Sequence, residues 1–315
     1  MSTADSREGQ YLDARTLDKI KRLDVRARLV VEGFMTGGHK SPYHGFAVEF
    51  AAHREYTPGD DLRHIDWKVW SKTDRLYIKE FEEETNLKCH LLLDRSKSML
   101  YGKNANSATD SGWSKFDYAA TATASLAYLM QQQQDAVGLV TFSNQIDRQF
   151  KPSTHPSHLK LLFHELEQTT CDKQTEVSDA FLGLAAQIRQ RGMVILLSDL
   201  LLPLDDLAKS LRQFRLRRHE VVVFQVMHSD ELNFPFDENT LFKGYEVDAQ
   251  LLAEPRALRK SYLEALERHN GEVRRICAGA GIDYVLLDTS KPLDVALSSY
   301  LSFRLRSRRR LTGRF

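Results

Sequence analysis

Three oxygen-bearing side chains follow a short apolar run near residue 94. The run from His90 to Leu93 ends at Asp94, and Ser96 and Ser98 follow at alternate positions. Residues two apart in an extended segment point the same way, so the three side chains share one side of the chain. One carboxylate and two hydroxyls are ligands that a hard divalent cation such as Mg²⁺ accepts in near-octahedral geometry. The run therefore predicts a cation site at the carboxyl end of a strand, where open α/β sheets usually bind ligands.

Two further oxygens fit this site. Thr175 directly precedes a predicted helix, and Asp199 closes the apolar segment from Met193 to Ser198. If the strand of Asp199 lies beside the strand of Asp94, both aspartates reach the same edge of the sheet. The predicted metal ligands are then Asp94, Ser96, Ser98, Thr175 and Asp199. Alternatively, Asp94 and Ser96 only stabilise a turn after the strand, because Asp and Ser favour turns by hydrogen-bonding to the nearby backbone.

From residue 87 onward, predicted apolar strands alternate with predicted helices, and these elements position the predicted ligands. Continuous apolar strands separated by helices indicate a mostly parallel sheet covered on both faces. The predicted fold is a doubly wound α/β sheet with a smaller α+β module before it. Strands are predicted at 87–93, 136–142, 146–150, 193–198, 221–227 and 284–287, with a strand pair around 242–247. Helices are predicted at 16–33, 116–134, 156–168, 177–190, 204–218, 254–279 and 292–306.

The chain divides into three predicted regions. These are an N-terminal module at 1–86, a large domain at 87–300 with a possible insertion at 228–252, and a basic tail at 301–315.

The 315 residues of the chain carry a net charge of +1, so bulk electrostatics favours neither nucleic acid nor a membrane surface. The three cysteines have no metal-ligand or disulfide spacing. No apolar run approaches the roughly 20 residues of a membrane span, and no signal-peptide layout opens the chain. We expect a cytoplasmic protein.

The five predicted ligands resemble the metal-ion-dependent adhesion site of the von Willebrand factor A domain. That family binds its cation through Asp-x-Ser-x-Ser, a Thr from a second loop and an Asp from a third. The resemblance implies Mg²⁺, or another divalent cation such as Mn²⁺ or Ca²⁺, and a protein ligand that completes the metal shell. The loop before Thr175 lacks the glycines common there, so Thr169 or Thr170 is the alternative ligand.

The segment before the site resembles the bacterial Domain of Unknown Function 58 family, over roughly residues 37 to 290. The motifs that carry the resemblance are Gly38 to Pro42, His53 to Arg63, Ile65 to Lys68, Thr73 to Tyr77 and Phe81 to Asn86. Members of this family are typically encoded beside MoxR-type AAA+ ATPases. The resemblance implies an adaptor or assembly factor that works with such an ATPase and a client protein. It implies no reaction, and we expect a binding protein rather than an enzyme.

Three other functions have weaker support. A metal-dependent hydrolase could use the same cation to polarise a phosphoryl or acyl group. The N-terminal motifs could pair His53 or His64 with a carboxylate as general acid and base, or they could form a structural module or a docking surface instead. Zinc is not expected, because His39, His44 and these two histidines match no zinc spacing. The arginine-rich tail could bind nucleic acid, anionic lipid or an acidic partner, or it could be a solvated helix end. Its arginines are Arg304, Arg306, Arg308, Arg309, Arg310 and Arg314.

Overall fold

A computed structural model describes most of the large predicted domain and parts of the N-terminal region. The described residues are 22–36, 52–56, 69–70, 75–80, 87–102, 113–171, 183–185, 187–188, 191–245, 249–294 and 297–298. The chain separates into two compact units, one at residues 40–86 and one that combines residues 1–39 with 87–315. The sequence predicts one module over all of 1–86. In the structure, the first described helix belongs instead to the larger unit.

The smaller unit contains one antiparallel strand pair. Strand β1 (Ala52–Glu55) pairs with β2 (Tyr77–Glu80) in a two-stranded sheet. An exposed ion pair joins Arg75 to Glu55, with 3.1 Å between Nη1 and Oε1. Exposed pairs of this kind contribute little stability, because water screens both charges.

The larger unit is built on a six-stranded sheet. The strands of this unit are β3 (Lys88–Asp94), β4 (Ala136–Phe142), β5 (Ile146–Ser153), β6 (Met193–Ser198), β7 (Glu220–Met227), β8 (Thr240–Lys243), β9 (Gln250–Ala253) and β10 (Asp283–Asp288). In the six-stranded sheet the order is β10-β7-β6-β3-β4-β5, and all neighbours are parallel except β4 and β5. A separate antiparallel pair, β8 with β9, lies in the region of the predicted insertion.

Helices cover both faces of this sheet. They are α1 (Leu23–Thr36), α2 (Lys115–Gln132), α3 (Pro156–Gln168), α4 (Leu204–Leu216), the short α5 (Ser229–Asn233) and α6 (Pro255–Gly279). One buried cluster joins alternate strand residues such as Leu92, Leu196 and Val223 to Phe214 of α4 and Val273 of α6. The intervening strand residues are equally buried and point to the opposite face, where α1, α2 and α3 pack together. The predicted doubly wound α/β architecture is therefore confirmed.

Helix α2 begins with a capping box that fixes its first turn. The Asp117 backbone N–H donates to the Ser114 hydroxyl at 3.0 Å, and the Asp117 carboxylate accepts from the Ser114 backbone N–H at 3.4 Å. Most of the helix is buried, including a run of small residues from Ala119 to Ser125. Small side chains allow the helix to lie close to the sheet. The first helical residue, Lys115, is thereby held at the carboxyl edge of the central strands.

Helix α1 is amphipathic and docks on the larger unit. Its apolar residues Ala27, Val30 and Phe34 are buried. The Leu23 backbone N–H at its start donates to Glu167 Oε1 of α3 at 2.9 Å. The predicted helix at 16–33 is thus present from Leu23 and continues to Thr36, whereas residues 16–21 lie outside the described residues.

The strand order reverses direction between β3 and β6. The chain proceeds from β3 to β4 and β5 on one side of the sheet, and then returns to β6, β7 and β10 on the other. Leu93 of β3 is paired with Leu197 of β6, so Asp94 and Ser198 follow side by side. Ligands of open α/β sheets usually bind at such a switch point. None of the helices in the described part of the chain combines the length and apolarity that a membrane span needs.

Candidate functional site

Asp94 ends β3 and is fixed by two different donors. Its Oδ1 accepts from the Ser96 backbone N–H at 2.8 Å, which forms the local turn that aspartates favour after strands. Its Oδ2 accepts from the Ser198 hydroxyl at 2.5 Å, across the junction of the two central strands. The carboxylate is 1% exposed. Asp94 therefore closes a local turn and also joins the ends of β3 and β6.

The two serines of the motif connect Asp94 to Asp199. The Ser96 and Ser98 hydroxyls lie 3.0 Å apart and hydrogen-bond each other. The Ser98 hydroxyl also bonds the Asp199 carboxylate, which is 3% exposed. Four of the five predicted ligands are thus brought together at one edge of the sheet. Thr175 lies outside the described residues, so its place in the site stays a prediction.

Thr169, one alternative to Thr175, has a different role. Its hydroxyl donates to the Glu165 carbonyl at 2.7 Å and closes the end of α3. Thr170 follows it and is exposed. The predicted helix at 177–190 is described only from residue 183, where residues 183–185 and 187 are helical.

A buried lysine that is absent from the predicted site completes the cluster. Lys115 Nζ donates to Asp199 Oδ2 at 2.9 Å and to Glu231 Oε1 at 2.7 Å. Its side chain is 1% exposed. Glu231 is anchored in turn, because its Oε2 accepts from the His228 backbone N–H at 2.9 Å. One signal was available in the sequence: Lys115 begins a helix, where the helix dipole disfavours a cation. A lysine at such a position needs carboxylates nearby.

The cluster has more negative than positive charge. The ammonium of Lys115 is paired with the carboxylates of Asp199 and Glu231, and the carboxylate of Asp94 interacts with that of Asp199. Burial, together with the charge of Asp199, raises the pKa of Asp94 to about 7. Burial also opposes the charged forms of Asp199 and Lys115, but their mutual attraction outweighs it. The pKa of Asp199 is lowered and that of Lys115 is raised from their ordinary values. Asp94 is the carboxylate whose charge is least compensated.

A buried polar network supports Asp199 from behind. Gln225 of β7 donates through Nε2 to the Asp199 carbonyl and to Asn270 Oδ1 of α6, both at 3.0 Å. The Tyr284 hydroxyl of β10 donates to Gln225 Oε1 at 2.6 Å. Because buried amide groups are costly when unpaired, this network fixes the loop after β6 to β7, α6 and β10.

Aromatic side chains line the neighbouring region. The rings of Tyr101 and His228 meet edge to face, with 5.1 Å between their centroids, and Tyr245 packs on the other side of Tyr101 at 6.4 Å. Burial raises the pKa of Tyr245, and the charge of Lys115 acts in the opposite direction. These aromatic rings therefore lie beside the cluster, between the loop after β3 and the predicted insertion. The region of the insertion contains α5, β8 and β9.

The donor set suits a hard divalent cation. Two carboxylates and two hydroxyls lie within one hydrogen-bonded group, and hard cations bind oxygen ligands of this kind. Both donors to Asp94, the Ser96 backbone N–H and the Ser198 hydroxyl, are neutral, so a bound cation would favour its charged form. Across the residues that the structure describes, no group of three or more His, Cys, Asp or Glu side chains is arranged to hold a metal ion. A cation here would depend on the Ser96 and Ser98 hydroxyls as well as on the carboxylates.

The remaining candidates are histidines, the arginines of the tail and the cysteines. His53 lies in β1 of the smaller unit, and His39, His44 and His64 fall outside the described residues. The same holds for the arginines of the tail. Cys89, Cys171 and Cys277 are buried and unbridged.

The fold and the cluster define an α/β protein with a largely buried group of carboxylates, serine hydroxyls and one lysine at the switch point of a mostly parallel sheet. The chain belongs to the family described as "Protein of unknown function DUF58", which matches residues 52–272. The predicted family membership is confirmed.

The chain is also similar to several individual proteins. Uncharacterized proteins Rv1480 of Mycobacterium tuberculosis and Mb1516 of Mycobacterium bovis are each 23% identical over 288 residues, which covers 90% of this chain and 88% of theirs. An aerotolerance-related membrane protein from Bacteroides fragilis is similar at 16% identity and a TM-score of 0.45, covering 69% of this chain and 98% of that one. BatB from Bacteroides thetaiotaomicron is similar at 15% identity and a TM-score of 0.43, covering 68% and 98%.

Proposed function

We propose that this protein is a metal-dependent interaction adaptor with a von Willebrand factor A-like site. Asp94, Ser96, Ser98 and Asp199 hold Mg²⁺ or a similar divalent cation, together with Thr175. The observation that supports this proposal is the convergence of these four side chains in one hydrogen-bonded group at the switch point. A carboxylate of a partner protein completes the metal shell.

The chemistry of the site favours binding over catalysis. A cation held largely by hydroxyls keeps residual positive charge, and a carboxylate that meets it forms a directional, charge-assisted contact. Such a contact makes partner binding depend on the metal. The partner proposed here is a MoxR-type AAA+ ATPase, with a client protein as the target of assembly. This part of the proposal follows from the family resemblance.

Asp94→Asn is the sharpest test of the metal site. Alanine at this position would remove the acceptor for both Ser96 and Ser198, whereas asparagine keeps an acceptor oxygen and removes the charge. A matched control is Asp288→Asn. Asp288 also ends a strand of the same sheet and accepts from Ser290, through its backbone N–H at 2.9 Å and its hydroxyl at 2.7 Å. The control alters the same kind of local turn at an aspartate outside the cluster.

The experiment compares capture of a MoxR-type ATPase by the immobilised full chain, in Mg²⁺ and in EDTA. We expect capture by the wild-type protein and Asp288→Asn in Mg²⁺, and loss of capture in EDTA or in Asp94→Asn. Equal capture in EDTA would contradict the proposal. Mg²⁺-dependent turnover of phosphodiesters or esters that disappears in Asp94→Asn would instead support the hydrolase alternative.

A further inference from the structure

Lys115 is an unusual residue to find inside a cation site. It is the first residue of α2, and its side chain is 1% exposed. A buried ammonium is strongly unfavourable unless it is paired, and the dipole of α2 adds to the penalty. Two carboxylates compensate it, those of Asp199 at 2.9 Å and Glu231 at 2.7 Å. The lysine therefore has a specific electrostatic role in the cluster.

The contact with Lys115 leaves Asp199 fully engaged. Asp199 Oδ2 accepts from the ammonium, and Oδ1 accepts from the Leu201 backbone N–H at 3.2 Å. The Ser98 hydroxyl bonds the same carboxylate. Asp199 can bind a divalent cation only if it shares or releases the ammonium, because two cations on one carboxylate repel each other.

Glu231 provides a second partner for the ammonium. Its Oε1 accepts from Lys115, and its Oε2 is held by the His228 backbone at the start of α5. Lys115 can thus release Asp199 and remain paired. We propose that Lys115 is a built-in counter-cation that competes with the divalent metal for Asp199 and so sets the metal affinity of the site. This inference rests on the metal site of the proposed function.

Two variants separate competition from a simple effect of net charge. Lys115→Gln removes one positive charge, so both explanations expect tighter metal binding. The double variant Lys115→Gln/Glu231→Gln removes one charge of each sign and leaves the net charge unchanged. A net-charge effect then predicts wild-type affinity, whereas competition predicts tighter binding because Asp199 is released. The double variant also avoids leaving the partly buried Glu231 carboxylate without its ion-pair partner, which protects the fold.

The measurement is Mn²⁺ binding to the full chain, followed by the electron paramagnetic resonance signal of free Mn²⁺. Lys209→Gln is the control, because Lys209 forms an exposed pair with Asp206 on α4 at 3.5 Å. We expect both Lys115 variants to bind Mn²⁺ at least about tenfold more tightly than wild type and the control. Wild-type affinity in the double variant would overturn the role of Lys115 and leave the metal site intact. Absence of Mn²⁺ binding in every protein would overturn the metal site itself, and this inference with it.

Discussion

The Ser198 hydroxyl donates to Asp94 Oδ2 at 2.5 Å, so the last residue of β6 fixes the last residue of β3. The same hydroxyl accepts from the Leu200 backbone N–H at 3.0 Å. Leu200 has a positive φ of 56°, a conformation that is unfavourable for a leucine without outside support. Ser198 therefore stabilises both the aspartate and the strained turn after β6.

Ser198→Ala tests this double role. We expect the free energy of unfolding to fall by about 1–3 kcal/mol, since two buried groups lose a partner. Urea unfolding measures the change, and Mn²⁺ titration should show weaker binding because Asp94 is less well fixed. Ser210→Ala is the matched control: Ser210 is a buried serine whose hydroxyl has no hydrogen-bond partner in the described part of the chain. An equal loss of stability in the two variants would contradict the role of Ser198.

Gln225→Leu tests the network behind Asp199. The substitution leaves the Tyr284 hydroxyl and the Asn270 amide without a buried partner, so we expect a loss of about 2–4 kcal/mol in unfolding free energy. Hydrogen exchange of the loop after β6 should also become faster. Gln213→Leu on the exposed side of α4 is the control and should change stability by less than about 0.5 kcal/mol. Unchanged exchange at residues 199–202 would show that Gln225 does not support the loop.

His90→Leu tests a pH dependence at the centre of the sheet. Burial, with the charges of His219 and Lys88, lowers the pKa of His90 from 6.5 to about 4. His90 therefore takes up a proton near pH 6.5 in the unfolded chain, but only near pH 4 in the folded chain. Stability is complete above pH 6.5 and falls as the pH drops toward 4, by about 3 kcal/mol from this residue.

The variant should lose this part of the acid sensitivity. Urea unfolding at pH 7.5 and 4.5 gives the comparison, and His164→Gln, at an exposed position on α3, serves as the control. The slope of stability against pH should flatten in His90→Leu and stay unchanged in the control. Identical slopes in the three proteins would contradict a neutral, buried His90.

Gly102→Ala tests the close packing beside the cluster. Gly102 has a φ of 97°, and an added Cβ would lie 2.5 Å from the Trp113 carbonyl oxygen and 2.6 Å from His228 Cδ2. We expect a loss of about 2 kcal/mol or more, from backbone strain and displacement of His228. In Gly271→Ala, within α6, the added Cβ meets no atom within 4 Å, and stability should rise by about 0.5–1 kcal/mol. Thermal unfolding of the two variants should shift in opposite directions.

The elements of the sheet were predictable because their signals are local. The apolar runs Ala136–Phe142 and Met193–Ser198 are strands over the predicted residues, and the helix at 156–168 has the predicted bounds. Parallel strands buried on both faces need continuous apolar sequence, which makes them easy to recognise. The strand pair expected around 242–247 is displaced. Its second strand begins only at Gln250, because the connection is longer than the sequence indicated.

The cluster was only partly predictable. Asp94, Ser96 and Ser98 are adjacent in sequence, and Asp199 ends a recognisable strand. The partners of Lys115, Asp199 and Glu231, lie 84 and 116 residues further along the chain. A local sequence pattern cannot predict contacts over such separations. Ser198 was assigned to the strand alone, although its hydroxyl reaches Asp94. Sequence reading therefore found the oxygens and missed the lysine that balances their charge.

The distribution of the cluster along the chain has a consequence for folding. Its members come from β3, the start of α2, the end of β6 and α5. Strands β3 and β6 can pair only after the chain has formed β4 and β5 and returned across the sheet. An incomplete or partly unfolded chain cannot assemble this arrangement of charges. A partner that recognises the cluster consequently recognises only molecules in which the whole sheet has formed.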